Sequence, residues 1–434
     1  MSILDIFKKK PERFIFILIF TYKFSLDYIY LNYITDFYAS IGFVENVNIF
    51  RYLISIPIMF LSIIPLKKMF NNFEKPSSIM MITFYLLYFY PNLTFCSLSN
   101  PGIYFYLFSL LYWFILTIMY LHSSNKKYIL IKGPKNPRYF YFLIFSVIFI
   151  SVAFTAYYNG FNIKFDLKNI YEIRADVKLM SVSTIFGYLK PAASKFAQIG
   201  LIYFLINKNK ILAAFMVLAQ LMFFAFGAHK TDFFFLILSI IIYFFYNNKS
   251  KHLILYGLVL INMITIFFVS NQSSLLVEVS SIYTRVLFTP NILSSYFFDF
   301  FTSNENLYFR DNLNQFLGLG TTYGMEIPYL IAIEYRNAPG MRANTGLIGS
   351  DFAEFGWLSL IFLIPIRVFL MNLLDSVSYN LEPKLLLIVS FSFSFSFING
   401  SLLGQLLTGG FFAVCLLLYF TPRIDLPPKN RTDQ

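Results

Sequence analysis

Charge is scarce in this chain. Of its 434 residues 13% are charged and 58% hydrophobic, against roughly a quarter charged in an ordinary soluble domain. Histidine is scarcer still: His122, His229 and His252 lie in separate segments, and with no H-x-x-x-H or C-x-x-C pair a metal site has no ligand set. The two cysteines, Cys96 and Cys415, both fall in apolar runs, where a thiol reads as a small core hydrophobe and carries no redox information. The chain has no Walker loop, no glycine-rich dinucleotide fingerprint and no D-x-D pair to hold a nucleotide sugar through a metal. Neither a metal nor a cofactor is therefore expected. A cleaved leader is not expected either, because Tyr22, Lys23 and Asp27 interrupt the first apolar run.

What the chain has in quantity is apolar length. Mean hydropathy is +0.64, and runs long enough to cross a bilayer core of about 30 Å recur from end to end. The expected fold is all-α and polytopic, a single integral membrane domain over 1–434. About twelve spans are expected, at 14–34, 50–66, 78–96, 102–122, 139–158, 187–206, 211–227, 232–246, 253–270, 346–371, 385–398 and 402–420. The seventh and eighth must be separate, since one helix over both would be far longer than the membrane is thick. The break is expected at Gly227–Asp232. Serine and phenylalanine alternate over 390–397 with strand period, but an unpaired strand in lipid leaves its backbone unsatisfied, so helix is expected. The heavy use of Phe (56) and Tyr (32) fits A/T-rich codon usage better than sugar-stacking chemistry.

Orientation follows from lysine and arginine placement. With both termini cytoplasmic, the inner segments collect 21 of the 34 cations, from Lys8–Lys10 to Arg431 and including Arg367 and Lys384. The net charge of +12 then anchors inner faces to anionic lipid and implies no nucleic acid partner. Two larger periplasmic loops remain, 159–186 and 271–345. The second holds Arg285, Arg310, Arg336 and Arg342 and no lysine. Guanidinium offers a rigid fork of donors that matches phosphate oxygens in pairs, so this loop points to an anionic, phosphate-bearing ligand. Its stretches Val286–Phe288 and Tyr296–Phe301 are too short to span and suit interfacial or re-entrant helices on the outer surface.

Several local motifs follow one another in order. Tyr171–Glu172–Ile173–Arg174 lies in the first outer loop, Ala228–His229–Lys230–Thr231 at the mid-chain break, and Thr284–Arg285–Val286–Leu287–Phe288–Thr289–Pro290 near the start of the large loop. Gly318–Leu319–Gly320 follows within it. Asn344–Thr345–Gly346 and Glu354–Phe355–Gly356–Trp357 mark its return to the membrane. In this order the pattern resembles the oligosaccharide repeat-unit polymerases of bacterial surface polysaccharides, the O-antigen polymerase (Wzy) family.

The resemblance implies an inner-membrane glycosyltransferase of GT-C-like architecture in lipopolysaccharide biosynthesis, with a periplasmic active site. Its donor would be a glycan on polyprenyl (undecaprenyl) pyrophosphate and its acceptor the next lipid-linked unit. A chain-length regulator protein and membrane lipid would be its partners. Arg174, Arg285 and Arg342 would hold the pyrophosphate, with Lys190, Lys195 and Lys230 near the outer ends of their spans as further cationic candidates. Each has a plainer reading. Arg174 has Glu172 and Asp176 beside it, Arg285 suits a snorkelling anchor, and Lys230 with Asp232 suits a solvated turn. Arg310 and Arg336, with Asp311 and Glu334 close in sequence, read as solvated ion pairs. Lys190 and Lys195 line a polar cavity or snorkel, since a charge costs roughly 2.5–3.5 kcal/mol at mid-membrane. The base for the acceptor hydroxyl would be Asp351 or Glu354, three apart on one helix face, although acids also favour a helix N-terminus.

Two rivals stand beside this reading. An O-antigen ligase is expected to carry a histidine in the large loop, and 271–345 has none. A lipid-linked oligosaccharide flippase or other transporter suits twelve spans, but is expected to show internal repeats and ionisable groups at mid-membrane.

Overall fold

The computed structural model describes residues 11–124, 131, 133–134, 136–158, 184–227, 230–246, 253–270, 283–317 and 319–423. Among the described residues all regular structure is helical. Nine long helices among the described residues precede the large loop, with short helical pieces at Tyr30–Ile34, Thr35–Phe37 and Ala39–Ile41. The nine are α1 (Pro11–Ile29), α2 (Ile49–Asn71), α3 (Pro76–Leu98), α4 (Ile103–Ser124), α5 (Arg138–Tyr158), α6 (Thr184–Ile206), α7 (Lys210–Gly227), α8 (Lys230–Phe245) and α9 (Leu253–Ser270). The loop contributes α10 (Thr289–Ser303), α11 (Arg310–Phe316) and α12 (Ile327–Arg336). Five helices follow: α13 (Leu347–Phe355), α14 (Ser359–Val377), α15 (Pro383–Asn399), α16 (Leu402–Leu407) and α17 (Phe411–Phe420).

The expected apolar runs fall on helices, the serine–phenylalanine segment included, with short interruptions in the last runs at 356–358 and 408–410, and at mid-chain one helix is described to Gly227 and the next from Lys230. Among the described residues, six helical stretches are long and apolar enough to cross a membrane. These are α2, α3, α4, α5, the α13–α14 stretch Leu347–Val377 and the α16–α17 stretch Leu402–Phe420. Shorter apolar helices occupy Lys210–Phe226, Ile254–Phe268 and Pro383–Asn399. The chain has the helices of a multi-pass membrane protein.

The third span is the hub. In α3 94% of the apolar window is buried, against at most 50% in the other five. Lipid tails give helices no reason to prefer one neighbour, so polar pairs decide the arrangement. The polar side chains of α3 do this in every direction. Ser77 donates from N and Oγ to Asp375 of α14 (2.8 and 2.6 Å), and Ser78 pairs with Tyr120 of α4 (2.7 Å). Tyr88 pairs with Ser294 and Asn92 donates to Asn291, both on α10 (2.6 and 3.0 Å). Thr94 donates to Asp27 of α1 (2.7 Å). The helix widens over Tyr85–Phe89, just before Pro91, which has no N–H to continue the ladder.

The bundle has two distinct ends. At one, Lys75 Nζ caps Ser124 O (3.0 Å), Lys384 Nζ caps Tyr243 O (2.7 Å) and Arg423 reaches Tyr379 O (2.9 Å). At the other, Asn46 and Asn48 bond through their backbone N–H to Leu98 and Ser97 (2.8 and 2.9 Å), and Gly346 N donates to Ile398 O (2.9 Å). That last contact requires glycine, because a Cβ at 346 would lie 1.9 Å from Phe397 O. The large loop covers this second end.

Two expectations change here. Tyr296–Phe301 does not lie on the outer surface: Phe297, Phe298 and Phe301 of α10 are buried, and Phe298 packs on Phe352 with ring centroids 4.0 Å apart. The i, i+3, i+4 spacing of Asn291, Ser294, Phe297, Phe298 and Phe301 gives α10 one continuous inward stripe. Arg367 is not an inner-face anchor. It is 2% exposed in mid-α14 and paired with Asp351.

Candidate functional site

Asp351 sits on α13 with 1% of its surface exposed. Its carboxylate accepts Arg367 Nε at 2.7 Å and also Arg367 Nη2, while Tyr112 OH donates to the same Oδ2 at 2.8 Å. Two guanidinium donors and a phenol occupy both oxygens. Buried charges persist only with such compensation. The arrangement holds α4, α13 and α14 together and offers no accessible base.

Glu354 lies one turn further along the helix and serves a different neighbour. Its Oε2 accepts Phe309 N at 2.7 Å and its Oε1 accepts Asn312 Nδ2 at 3.4 Å, while its backbone carbonyl accepts Tyr308 N at 2.9 Å. Tyr308 and Phe309 have φ of 50° and 61°, a left-handed conformation that costs a non-glycine residue roughly 1–2 kcal/mol. Glu354, 5% exposed, stabilises that turn by accepting the N–H it presents inward. The two carboxylates expected to share one role thus have two structural roles.

The loop arginines divide in an unexpected way. Arg342 pairs with Glu326 and lies over the Tyr329 ring, 5.2 Å from its centroid. Arg310 pairs with Glu305 at 3.1 Å, not with Asp311, whose Oδ1 accepts Thr322 N and Oγ1. Arg285 and Arg336 form no ion pair or hydrogen bond among the described residues, so Arg336 is not neutralised by Glu334. Arg336 is half-buried at the last turn of α12, and Arg285 is exposed in the short helical stretch 283–287 before α10. Burial lowers the pKa of Arg336, and the charge of Arg285 lowers it further against an opposing effect of Tyr296. The charge of Arg285 thus reaches Arg336, and neither guanidinium has a carboxylate within ion-pair distance among the described residues.

Around that region stand groups that sequence reasoning missed. The rings of Tyr296 (α10) and Tyr335 (α12) stack at 4.8 Å with a 19° interplanar angle. Tyr335 OH donates to Asp299 Oδ2 at 2.7 Å. Burial, then this hydrogen bond and the Asp299 charge, raise the pKa of Tyr335. Asp299 is itself exposed on α10. A sequence signal existed: Tyr296 and Asp299 are three apart on the polar edge of α10. The partner helix that makes them meaningful, α12, could not be placed from spacing alone.

The membrane lysines separate too. Lys195 is part-buried on α6, donating to Gly409 O at 2.8 Å across the Phe393 ring at 5.4 Å. The gap it shares with Gln198, Ser392 and Phe393 does not admit a water molecule, so no polar cavity is lined there. Nearby, Ser194 Oγ donates to Asp232 Oδ1 at 2.7 Å and Gln220 Nε2 to Ser194 O at 2.6 Å. Lys190 is half-buried one turn before Lys195, and Lys230 is exposed at the start of α8. Arg174 lies outside the described residues, as does nearly all of the loop 159–186. Among the described residues no three histidine, cysteine or acidic side chains gather as metal ligands.

No family model matches the chain, and neither a curated protein nor a solved structure shows significant similarity to it.

Proposed function

We propose that the chain polymerises lipid-linked oligosaccharide repeat units of a bacterial surface polysaccharide, as a twelve-span glycosyltransferase of the inner membrane with its large loop in the periplasm. The observation that carries this reading is the pair Arg285 and Arg336, two guanidiniums without counter-ions at the loop end. An oligosaccharide on polyprenyl pyrophosphate supplies the missing negative charge. The acceptor hydroxyl attacks the anomeric carbon of the donor, the bond to the pyrophosphate oxygen breaks, and the leaving group departs with the electron pair. Its developing charge is what guanidiniums stabilise, more strongly at a partly dehydrated site than in bulk water. Asp299 takes the hydroxyl proton in this scheme, and the Tyr296–Tyr335 stack presents ring faces to a sugar. Arg174 is retained as a further phosphate ligand. Arg342 contributes once its exposed pair with Glu326 exchanges, and Lys190 and Lys230 add positive potential at the same end.

A transporter of the same lipid-linked substrate is the second reading. Its support is specific: Lys23 and Asp27 form a buried pair inside α1 (2.5 Å) and Arg367 and Asp351 another, and ionisable groups within spans often mark transport pathways. Deleting the gene separates the two. Polymerase loss leaves surface glycan as single repeat units on gels of lipopolysaccharide. Surface glycan absent altogether, with lipid-linked units accumulating in the cytoplasmic leaflet, overturns the polymerase in favour of the transporter.

A further inference from the structure

A groove of about 310 Å³ opens between α1 and α2 at the loop end of the bundle, lined by Phe24, Asp27, Tyr28, Asn32, Tyr52 and Leu98 among others. None of its lining residues is one of the loop arginines. Its floor is an ion pair that is complete in itself. Lys23 Nζ contacts both oxygens of Asp27 at 2.5 and 2.7 Å, Thr94 Oγ1 adds a donor at 2.7 Å, and the ammonium lies 5.4 Å from the Tyr52 ring centroid. The two formal charges cancel, so the floor has no net demand for an anion or a cation. It still presents polarity, because the Asp27 carboxylate lines the groove.

The walls add what the floor lacks. Tyr28 is exposed, Tyr52 and Phe24 are half-buried, and the Asn32 amide donates to Tyr28 O at 2.9 Å with its own oxygen unengaged by any described donor. Aromatic faces with one amide and one carboxylate suit a ring that has C–H faces and hydroxyl edges. The size suits one small ligand, at the lower end of the roughly 300–1,000 Å³ usual for such sites. Phe20 on α1 and Phe50 and Leu53 on α2 are exposed, as on faces that an apolar helix turns to lipid.

We infer that this groove binds the sugar of a lipid-anchored glycan: a neutral, hydroxyl-rich ring held against Tyr28 and Tyr52, with hydroxyls on Asp27 and Asn32 and its lipid along α1 and α2. The inference does not rest on the polymerase reading, since a transporter of lipid-linked sugars needs the same site.

The test uses the full chain in nanodiscs and two photoactivatable probes with a diazirine in the alkyl chain, octyl glucoside and octylphosphocholine. Variants are Tyr28→Ala and Asn32→Ala, both at exposed positions and neither among the side chains that contact the buried ion pair. The glucoside probe is expected to label peptides spanning 24–32 and 47–53 saturably, and either substitution to weaken that labelling at least fivefold. The phosphocholine probe is expected to label the whole lipid-facing surface without saturating there. Equal labelling of the groove by both probes, or glucoside labelling unchanged in both variants, overturns the inference. Thermal unfolding of each variant, expected to match the wild type, separates lost binding from lost fold.

Discussion

Removing one member of the Arg367–Asp351 pair should cost far more than removing both. The side chains are 2% and 1% exposed. In Arg367→Met the Asp351 carboxylate loses two of its three donors and keeps Tyr112 alone. In Asp351→Leu the guanidinium keeps only the face of Phe397, whose ring centroid is 5.5 Å away. Each single change leaves a buried charge uncompensated, an effect of roughly 3–5 kcal/mol. In the double variant neither charge remains. Its residual cost is the Tyr112 hydroxyl left without an acceptor, about 1–3 kcal/mol, and adding Tyr112→Phe should remove most of that. The triple variant is therefore expected within about 2 kcal/mol of wild type, while the single variants together lose roughly 6–10 kcal/mol. Denaturation in mixed detergent micelles, read beside expression level, gives the comparison. Additive losses, or single variants as stable as wild type, would refute the argument that the pair is buried and mutually dependent. The same triple variant bears on catalysis: retained polymer length would show that Asp351 serves the fold and not the acceptor hydroxyl.

Three further outcomes are expected. Arg285→Lys and Arg336→Lys should each shorten the polymer, with turnover of lipid-linked units falling about ten- to hundredfold, since a charge-assisted hydrogen bond contributes roughly 1.5–3 kcal/mol; Arg310→Lys, in a pair 41% and 68% exposed, should change it little. Arg336→Gln should abolish more activity still yet raise the unfolding midpoint, because it removes a like-charge contact with Arg285; a lower midpoint would contradict that electrostatic picture. For topology, Asn304→Cys should react with an impermeant thiol reagent in intact spheroplasts and Asn207→Cys only after permeabilisation, and the reverse pattern would invert the orientation.

The helices were legible because each apolar run carries its own evidence. Gly227 and Lys230 bound a break that length alone demanded, and Phe391–Phe397 had to be helical because lipid forbids a lone strand. The pairings were not legible, because a hydrogen bond across the bundle depends on helix rotation. Tyr112 and Asp351 are 239 residues apart and Asn92 and Asn291 are 199 apart. Proximity in sequence misled instead: Asp311 beside Arg310 and Glu334 beside Arg336 drew attention away from Glu305 and from the unneutralised pair. Arg367 was misjudged for a related reason. A cation near a span's end reads as an anchor until its acid, sixteen residues earlier, is seen to face the same interior.

The polar faces of α3 also set a schedule for biogenesis. Ser77 waits for Asp375, 298 residues further on, and Tyr88 for Ser294, 206 residues on. At translation rates of about 5–20 residues per second, the wait for Asp375 lasts roughly 15–60 s. During that interval α3 is in the membrane with its serines, Asn92 and Thr94 only partly matched by the helices already made. α1 and α4 supply the early partners, through Asp27 and Tyr120; the rest arrive with the second half of the chain. A truncated chain ending before Thr289 would therefore expose an unsatisfied polar helix to lipid, a natural mark for membrane quality-control proteases.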